Sequence, residues 1–170
     1  ASVIVNGRDA ATLAPVVAEF SALGLRAHAL AADLSQRAEV ERLLAGAIAW
    51  QGRLDILVNN AGIIRRAPAA EHSDADWDAV LGVNLDGVFS ACSAAGRHML
   101  ARGSGKIINV ASLLTFFGGI TVPGYAASKG AVGQLTKALS NEWAGRGVNV
   151  NAIAPGYMRT DNTAALQADP

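Results

Sequence analysis

Tyr125 and Lys129 stand four residues apart in PGYAASKGAV, a spacing that puts a phenol and an ammonium on one face of a helical turn. A tyrosine ordinarily releases its proton near pH ~10, and a cation held beside it favours the phenolate, so such a pair can exchange protons nearer neutrality. That is the chemistry of a general acid/base. The same spacing also fits a solvated helix surface. Other residues with chemical use recur along the chain: Asn6-Gly7-Arg8, Asp33, Asn59-Asn60-Ala61-Gly62, Ser112 and Pro155-Gly156. Taken one at a time, Gly7 and Gly62 also read as turns, Asp33 as a residue before a cap, and Asn59 as a bridge between strands. Their common placement is what gives them meaning.

The elements that must position them alternate. Residues 2–6 form a short β-branched run, Gly7 and Arg8 a turn, and residues 10–23 a helical pattern ended by Gly24. Residues 26–32 read as a second strand closed by Asp33, and Ser35 as the start of a helix reaching about Trp50 before Gly52. Residues 55–58 read as a buried strand leading into NNAG. One or two helices follow, with Ser73 as N-cap and Gly105 as the stop. Residues 106–111 read as a fourth strand, 125–146 as a long helix and 148–154 as a fifth strand. Short apolar strands alternating with helices predict an α/β fold with a doubly wound parallel sheet, a single domain over residues 1–170. Ligands of such sheets bind outside the carboxyl ends of the strands. The five sets Asn6-Gly7-Arg8, Asp33, Asn59-Asn60-Ala61-Gly62, Ser112 and Pro155-Gly156 fall there, which predicts a cofactor cleft.

Composition narrows the function. About half of the 170 residues are apolar, with Ala and Gly prevailing over bulky types, enough for one sizeable core. The 14 Lys and Arg balance 14 Asp and Glu without a run of like charge, so neither nucleic acid nor an anionic membrane is an expected partner. A small-molecule substrate is. The single Cys92 excludes an internal disulfide, and the scattered His28, His72 and His98 leave no metal site, which fits a reducing cytoplasm. No apolar run reaches the ~20 residues of a membrane span, and the first residues read as a strand rather than a signal peptide.

The ordered set NNAG (59–62), Asn84, Ser112 after KIINVA, YAASK (125–129) and NAIAPG (151–156) resembles the short-chain dehydrogenase/reductase family. The resemblance implies a Rossmann-like fold. It makes Tyr125 the acid that protonates a carbonyl oxygen in reduction, or the base that takes the hydroxyl proton in oxidation. Lys129 would lower the Tyr125 pKa and bind the nicotinamide ribose, Ser112 would polarise the substrate oxygen, and Asn84 would hold a water relaying protons to Lys129. It also implies that Asp33, with Leu34 beside it, meets the adenine amino group. Asn60, Ala61 and Gly62 would line the adenine ribose, and Pro155, Gly156, Met158 and Thr160 would flank the nicotinamide.

Within the family, GIIRR (62–66), NVASLLTFFGGI (109–120), NEWA (141–144) and the segment from 151 onward resemble the 2-deoxy-D-gluconate 3-dehydrogenase and 2-dehydro-3-deoxy-D-gluconate 5-dehydrogenase group. That implies hydride transfer between NAD or NADP and a secondary alcohol or ketone of a sugar acid. Gluconate 5-dehydrogenases share the NGRD and GI-x-RR features, and 3-oxoacyl carrier-protein reductases use the same four catalytic residues. An inactive fragment or a structural subunit is the alternative of another class. The family resemblance further implies a homotetramer packed through residues 85–102 and 125–146.

Two choices stay open on the residues themselves. Arg8 after Gly7 is a cation suited to a 2′-phosphate and so to NADP, while the deoxygluconate resemblance points to NAD. Arg65 and Arg66 can grip a sugar-acid carboxylate, with Ser112 and Tyr125 on the reacting oxygen, or can be a solvated surface pair. Residues 113–123 and 159–163 would form the other walls of the substrate site. Against the family pattern, the chain begins at the second strand, so the first strand, its glycine-rich TGxxxGxG turn and helix, and the C-terminal elements are expected to lie outside it. A true fragment of that extent would lack the central strand and would not be expected to bind a dinucleotide.

Overall fold

Five parallel strands alternate with helices in the computed structural model, which describes residues 1–159. The first pair, β1 (Ser2–Gly7) and β2 (Arg26–Ala31), runs in parallel register from Ser2↔Arg26 to Gly7↔Ala31. The helix α1 (Ala10–Ala22) joins them, and its N-cap Asp9 accepts a hydrogen bond from the Ala11 N–H. A second ladder has the order β3 (Ile56–Asn59), β4 (Gly105–Val110), β5 (Val148–Ile153), again all parallel. The α/β alternation expected from the sequence, with its Rossmann-like arrangement, is therefore present, and the strands form two ladders. No backbone ladder links β1 or β2 to β3 among the described residues.

The two parts are joined by helices. The helix α2 (Arg37–Gln51) packs on β2 and on α4 (Gly87–Arg102), and α4 in turn lies on β3, β4 and β5. The long α6 (Pro123–Trp143) packs on β5. One continuous core results, in which Val40, Leu43 and Leu44 of α2 meet Val88, Ala91, Cys92, Ala95 and Met99 of α4, the strand residues Ile107, Val148 and Val150, and Val132, Leu139 and Trp143 of α6. Small residues allow this closeness. A Cβ on Gly96 would come within 2.6 Å of the Trp143 ring, so α4 and α6 can cross here only if position 96 lacks a side chain.

Several boundaries differ from the sequence reading. Ser35 does not open α2: its N–H and hydroxyl both donate to the Asp33 carboxylate, and the helix starts two residues later. The chain after Ser73, which does cap α3 (Asp74–Leu81), runs through one π-helical turn, Gly82–Asp86, directly into α4. Gly103, not Gly105, ends α4 with a left-handed φ of 67°, and Gly105 already belongs to β4. A four-residue helix, α5 (Leu114–Phe117), follows Ser112 in a segment read from sequence as a plain wall.

The continuous helical stretch Asp74–Arg102 contains an 18-residue window of mean hydropathy 1.3 and by length and composition could cross a membrane, which the sequence reading did not foresee. The same window is 56% buried inside the chain, where it faces α2, α6 and the β3–β5 ladder. Its apolar character is accounted for by that packing.

Candidate active site

The first turns of α6 carry Tyr125 and Lys129. Lys129 is only 4% exposed, and its Nζ donates to the main-chain oxygen of Val110, the last residue of β4, at 2.6 Å. The same Nζ lies 5.6 Å from the centre of the half-buried Tyr125 ring. Burial pushes the Lys129 pKa down to about 8, because an ammonium loses hydration that one carbonyl only partly replaces. The four-residue spacing read from the sequence thus gives a buried cation at the phenol, rather than a solvated pair.

Ser112 stands two residues beyond Val110, where pairing between β4 and β5 continues past the strands. The Ala111 N–H donates to Ile153 at 2.8 Å and the Leu113 N–H to Pro155 at 3.1 Å. The Ser112 Oγ accepts from the Leu114 N–H at 3.1 Å, which leaves its own proton available to donate to a further oxygen. Among the described residues no hydrogen bond occupies the Tyr125 hydroxyl. Two neutral donors and a fixed cation are what polarisation and protonation of one carbonyl oxygen require.

Asn84 sits in the π-helical turn and is fully buried. Its Oδ1 accepts from the Ile63 N–H at 2.8 Å, and its Nδ2 donates to the Ile63 carbonyl at 2.9 Å and to the Ser128 Oγ at 3.2 Å. The side chain therefore clamps the loop after β3 to α6, with both amide hydrogens committed. A water expected at Asn84 has the second lone pair of Oδ1 as its remaining side-chain partner. Gly62 lies between this amide and the cation: a Cβ there would stand 3.3 Å from Asn84 Oδ1 and 3.6 Å from Lys129 Nζ.

The other expected cofactor residues fall at the same strand ends. Asn6, beneath Gly7 and Arg8, donates from Nδ2 to the Leu30 carbonyl at 2.9 Å and holds the ends of β1 and β2 together. The Asp33 carboxyl is held below its usual range by the Ser35 N–H and hydroxyl, with the Arg8 cation adding to the effect. Arg8 is therefore close enough for its charge to be felt at Asp33. The Leu34 carbonyl reaches α4 so closely that a Cβ on Gly87 would meet it at 2.5 Å. Asn60 and Ala61 are exposed beyond β3, and Gly156 and Met158 beyond β5, after a half-buried Pro155. Thr160 and residues 161–163 lie outside the described residues. The cradle at Gly62, the buried Lys129 ammonium with donors to spare and the Arg8 cation suit a dinucleotide carrying phosphates and ribose hydroxyls.

Arg65 has a carboxylate of its own. Its Nε pairs with Asp76 at 3.2 Å, both side chains being about half exposed, so a substrate carboxylate at this residue would share it with α3. Sequence reasoning missed Thr115, whose Oγ1 contacts the main chain of both Ser112 and Lys129. Beneath the NNAG loop Asn59 is the bridge between strands that the sequence allowed, within a buried group whose other members sequence reasoning missed. There Asn59 Nδ2 donates to Asn109 Oδ1 at 2.8 Å, and Asn109 Nδ2 to the Thr136 Oγ1 at 2.9 Å. Burial in that group, beside Asn59 and Asn109, raises the Cys92 thiol to about 11.

This architecture recurs in known proteins. A 2-dehydro-3-deoxy-D-gluconate 5-dehydrogenase of Pseudoalteromonas atlantica is 56% identical over 169 residues, covering 99% of this chain and 64% of that protein. The Escherichia coli protein of the same name is 51% identical over 154 residues, 90% of this chain and 61% of its own. The chain thus spans less than two thirds of the length of these curated relatives. A crystal structure of a gluconate 5-dehydrogenase from Burkholderia cenocepacia, in complex with NADP and tartrate, superposes with a TM-score of 0.95 at 42% identity, over 99% of this chain and 66% of that one. The model of the short chain dehydrogenase family matches residues 1–170, and with Tyr125, Lys129, Ser112 and Asn84 gathered at one edge of a parallel sheet, the chain belongs to that family.

Proposed function

We propose that the protein of which this chain is part is an NAD(P)-dependent oxidoreductase acting on a secondary alcohol or ketone of a sugar acid, of the 2-dehydro-3-deoxy-D-gluconate or 2-deoxy-D-gluconate type. The observation that carries the reading is the Lys129 ammonium, buried without a carboxylate among the described residues and held on the Val110 carbonyl beside the Tyr125 ring. A cation kept in so costly a position is better explained by use than by stability. The relatives' names supply the substrate class.

In the reductive direction the Ser112 hydroxyl donates to the carbonyl oxygen and the Tyr125 hydroxyl delivers the proton to it. The Lys129 charge stabilises the phenolate left behind. In the oxidative direction the phenolate takes the hydroxyl proton. When bound, a nicotinamide dinucleotide supplies or accepts the hydride, which no side chain can do. Lys129, Gly62, Asn60 and Ala61 would bind its ribose hydroxyls, Asp33 and Leu34 its adenine, and Pro155, Gly156 and Met158 the nicotinamide end. Arg8 supports NADP, since a guanidinium pairs with a 2′-phosphate in a charge-assisted bond. Arg65 would bind the sugar-acid carboxylate in exchange for Asp76.

We also place the protein in the cytoplasm as a homotetramer. The single cysteine supports the first, and Phe89, 44% exposed on α4, supports an interface there. Absorbance assays of the full-length protein test the reading, with NADP+ or NAD+ for sugar acids that carry a secondary alcohol, 2-dehydro-3-deoxy-D-gluconate among them, and with NADPH or NADH for keto sugar acids and an acetoacetyl thioester. Turnover of a 2-keto sugar acid is expected. A preference for the thioester would favour a carrier-protein reductase, and no turnover of any of them would overturn the proposal.

A further inference from the structure

Thr115, the second residue of α5, joins the two halves of the candidate catalytic group. Its Oγ1 donates to the main-chain oxygen of Lys129 at 2.9 Å and accepts from the main-chain N–H of Ser112 at 3.3 Å. Its own N–H donates to the Ser112 carbonyl at 3.0 Å, while the Leu114 N–H donates to the Ser112 hydroxyl at 3.1 Å. The N–H, carbonyl and hydroxyl of Ser112 are thus all tied to α5, and one side chain ties that turn across to α6 at Lys129. The methyl of Thr115 has its own seat. A Cβ on Gly133, one turn beyond Lys129, would approach the Thr115 Cγ2 to 2.8 Å, which gives a packing reason for a glycine inside a helix that glycine otherwise weakens.

We infer that Thr115 is a positioning residue for the reaction, fixing where the Ser112 hydroxyl stands relative to Tyr125 and Lys129 without touching the substrate. The inference rests on the oxidoreductase reading above. The chemistry makes the distance matter: the Ser112 donor and the Tyr125 acid must converge on one oxygen, and displacements of about 1 Å can cost on the order of 100-fold in rate. The Lys129 carbonyl also sits within the first turns of α6, so a hydroxyl bound to it senses the helix that bears both Tyr125 and Lys129. Threonine suits the task because one atom both accepts and donates, while its second branch packs against Gly133.

The test is steady-state kinetics of the full-length protein with 2-dehydro-3-deoxy-D-gluconate, alongside titration of NADPH binding by fluorescence. Thr115→Val keeps the shape and drops the hydroxyl; Thr115→Ser keeps the hydroxyl and drops the methyl; Thr115→Ala lacks both. Thr115→Val is expected to lower kcat roughly 10- to 100-fold with NADPH affinity within about 2-fold, and Thr115→Ser to stay within about 5-fold of wild type. Gly133→Ala, which crowds the methyl, should lower kcat in the same sense. Should Thr115→Val fail to fold, the Ser and Ala variants alone decide, since they differ only in the hydroxyl. The inference is overturned if Thr115→Val turns over like wild type, or if Ser and Ala lose activity equally. Tyr125→Phe in the same series separates the two readings. If that variant stays active, the acid/base assignment fails, whereas an inert Tyr125→Phe beside an unimpaired Thr115→Val removes only the role of Thr115.

Discussion

The Lys129 Nζ donates to the Val110 carbonyl at 2.6 Å, fastening α6 to the last residue of β4, two residues before Ser112. This bond relates the helix that bears Tyr125, the proposed acid, to the strand end that leads to Ser112, the proposed oxyanion donor. It also partly offsets the burial of a lysine at 4% exposure: one of its three hydrogens is satisfied by protein, and on the proposed reading the others serve a ligand's hydroxyls.

Burial of Lys129 has a consequence for stability. Its folded pKa, about 8, lies below the unfolded value, so between about pH 8 and 10.5 the unfolded chain binds the extra proton and stability rises with pH from this group. Below pH 8 the lysine is charged in both states and the full burial cost, about 3 kcal/mol as an upper figure, is present. Urea denaturation of the full-length protein and of Lys129→Met should show the variant's relative stability falling as pH goes from 7 to 10. A difference that does not change with pH would refute the shift.

Asn84 holds the main chain of Ile63 at both its N–H and its carbonyl. Asn84→Leu removes the clamp and leaves two peptide groups unmatched in a buried place, at a cost of about 2–4 kcal/mol. Chemical denaturation should register that loss along with reduced turnover. A variant as stable as wild type would mean that the loop holds itself.

Arg8 tests cofactor choice. Loss of a charge-assisted bond to a 2′-phosphate is worth roughly 10- to 100-fold. Arg8→Ala should raise the KM for NADPH by that factor and leave the KM for NADH within about 3-fold. Equal effects on both cofactors would assign Arg8 to general electrostatics near Asp33.

What was legible in the sequence is what carries a periodic or chemical signature. Apolar runs placed the five strands, Ser73 announced its cap, and the Tyr125 and Lys129 spacing announced a shared helix face. Interactions with main-chain partners left no such mark. The Val110 carbonyl under Lys129, the Ile63 peptide clamped by Asn84 from 21 residues away and the Lys129 carbonyl that accepts from Thr115 all join side chains to backbone across long separations, and nearly any residue type could have supplied that backbone. The start of α2 was misjudged because Ser35 serves Asp33 instead of the helix. The helix α5 was missed because four residues are too few to show a period. A residue of sequence reading remains in the Gly133 position, where a glycine in mid-helix was the available sign that something packs closely against it.

The central claim is that Tyr125 is the proton donor and acceptor, and the turnover of Tyr125→Phe in the full-length protein tests it most directly. With 2-dehydro-3-deoxy-D-gluconate and the preferred cofactor, kcat should fall by about 1,000-fold or more, within the range set by loss of a general acid, while NADPH binding measured by fluorescence stays near that of wild type. A Tyr125→Phe protein that turns over within a few-fold of wild type would contradict the account.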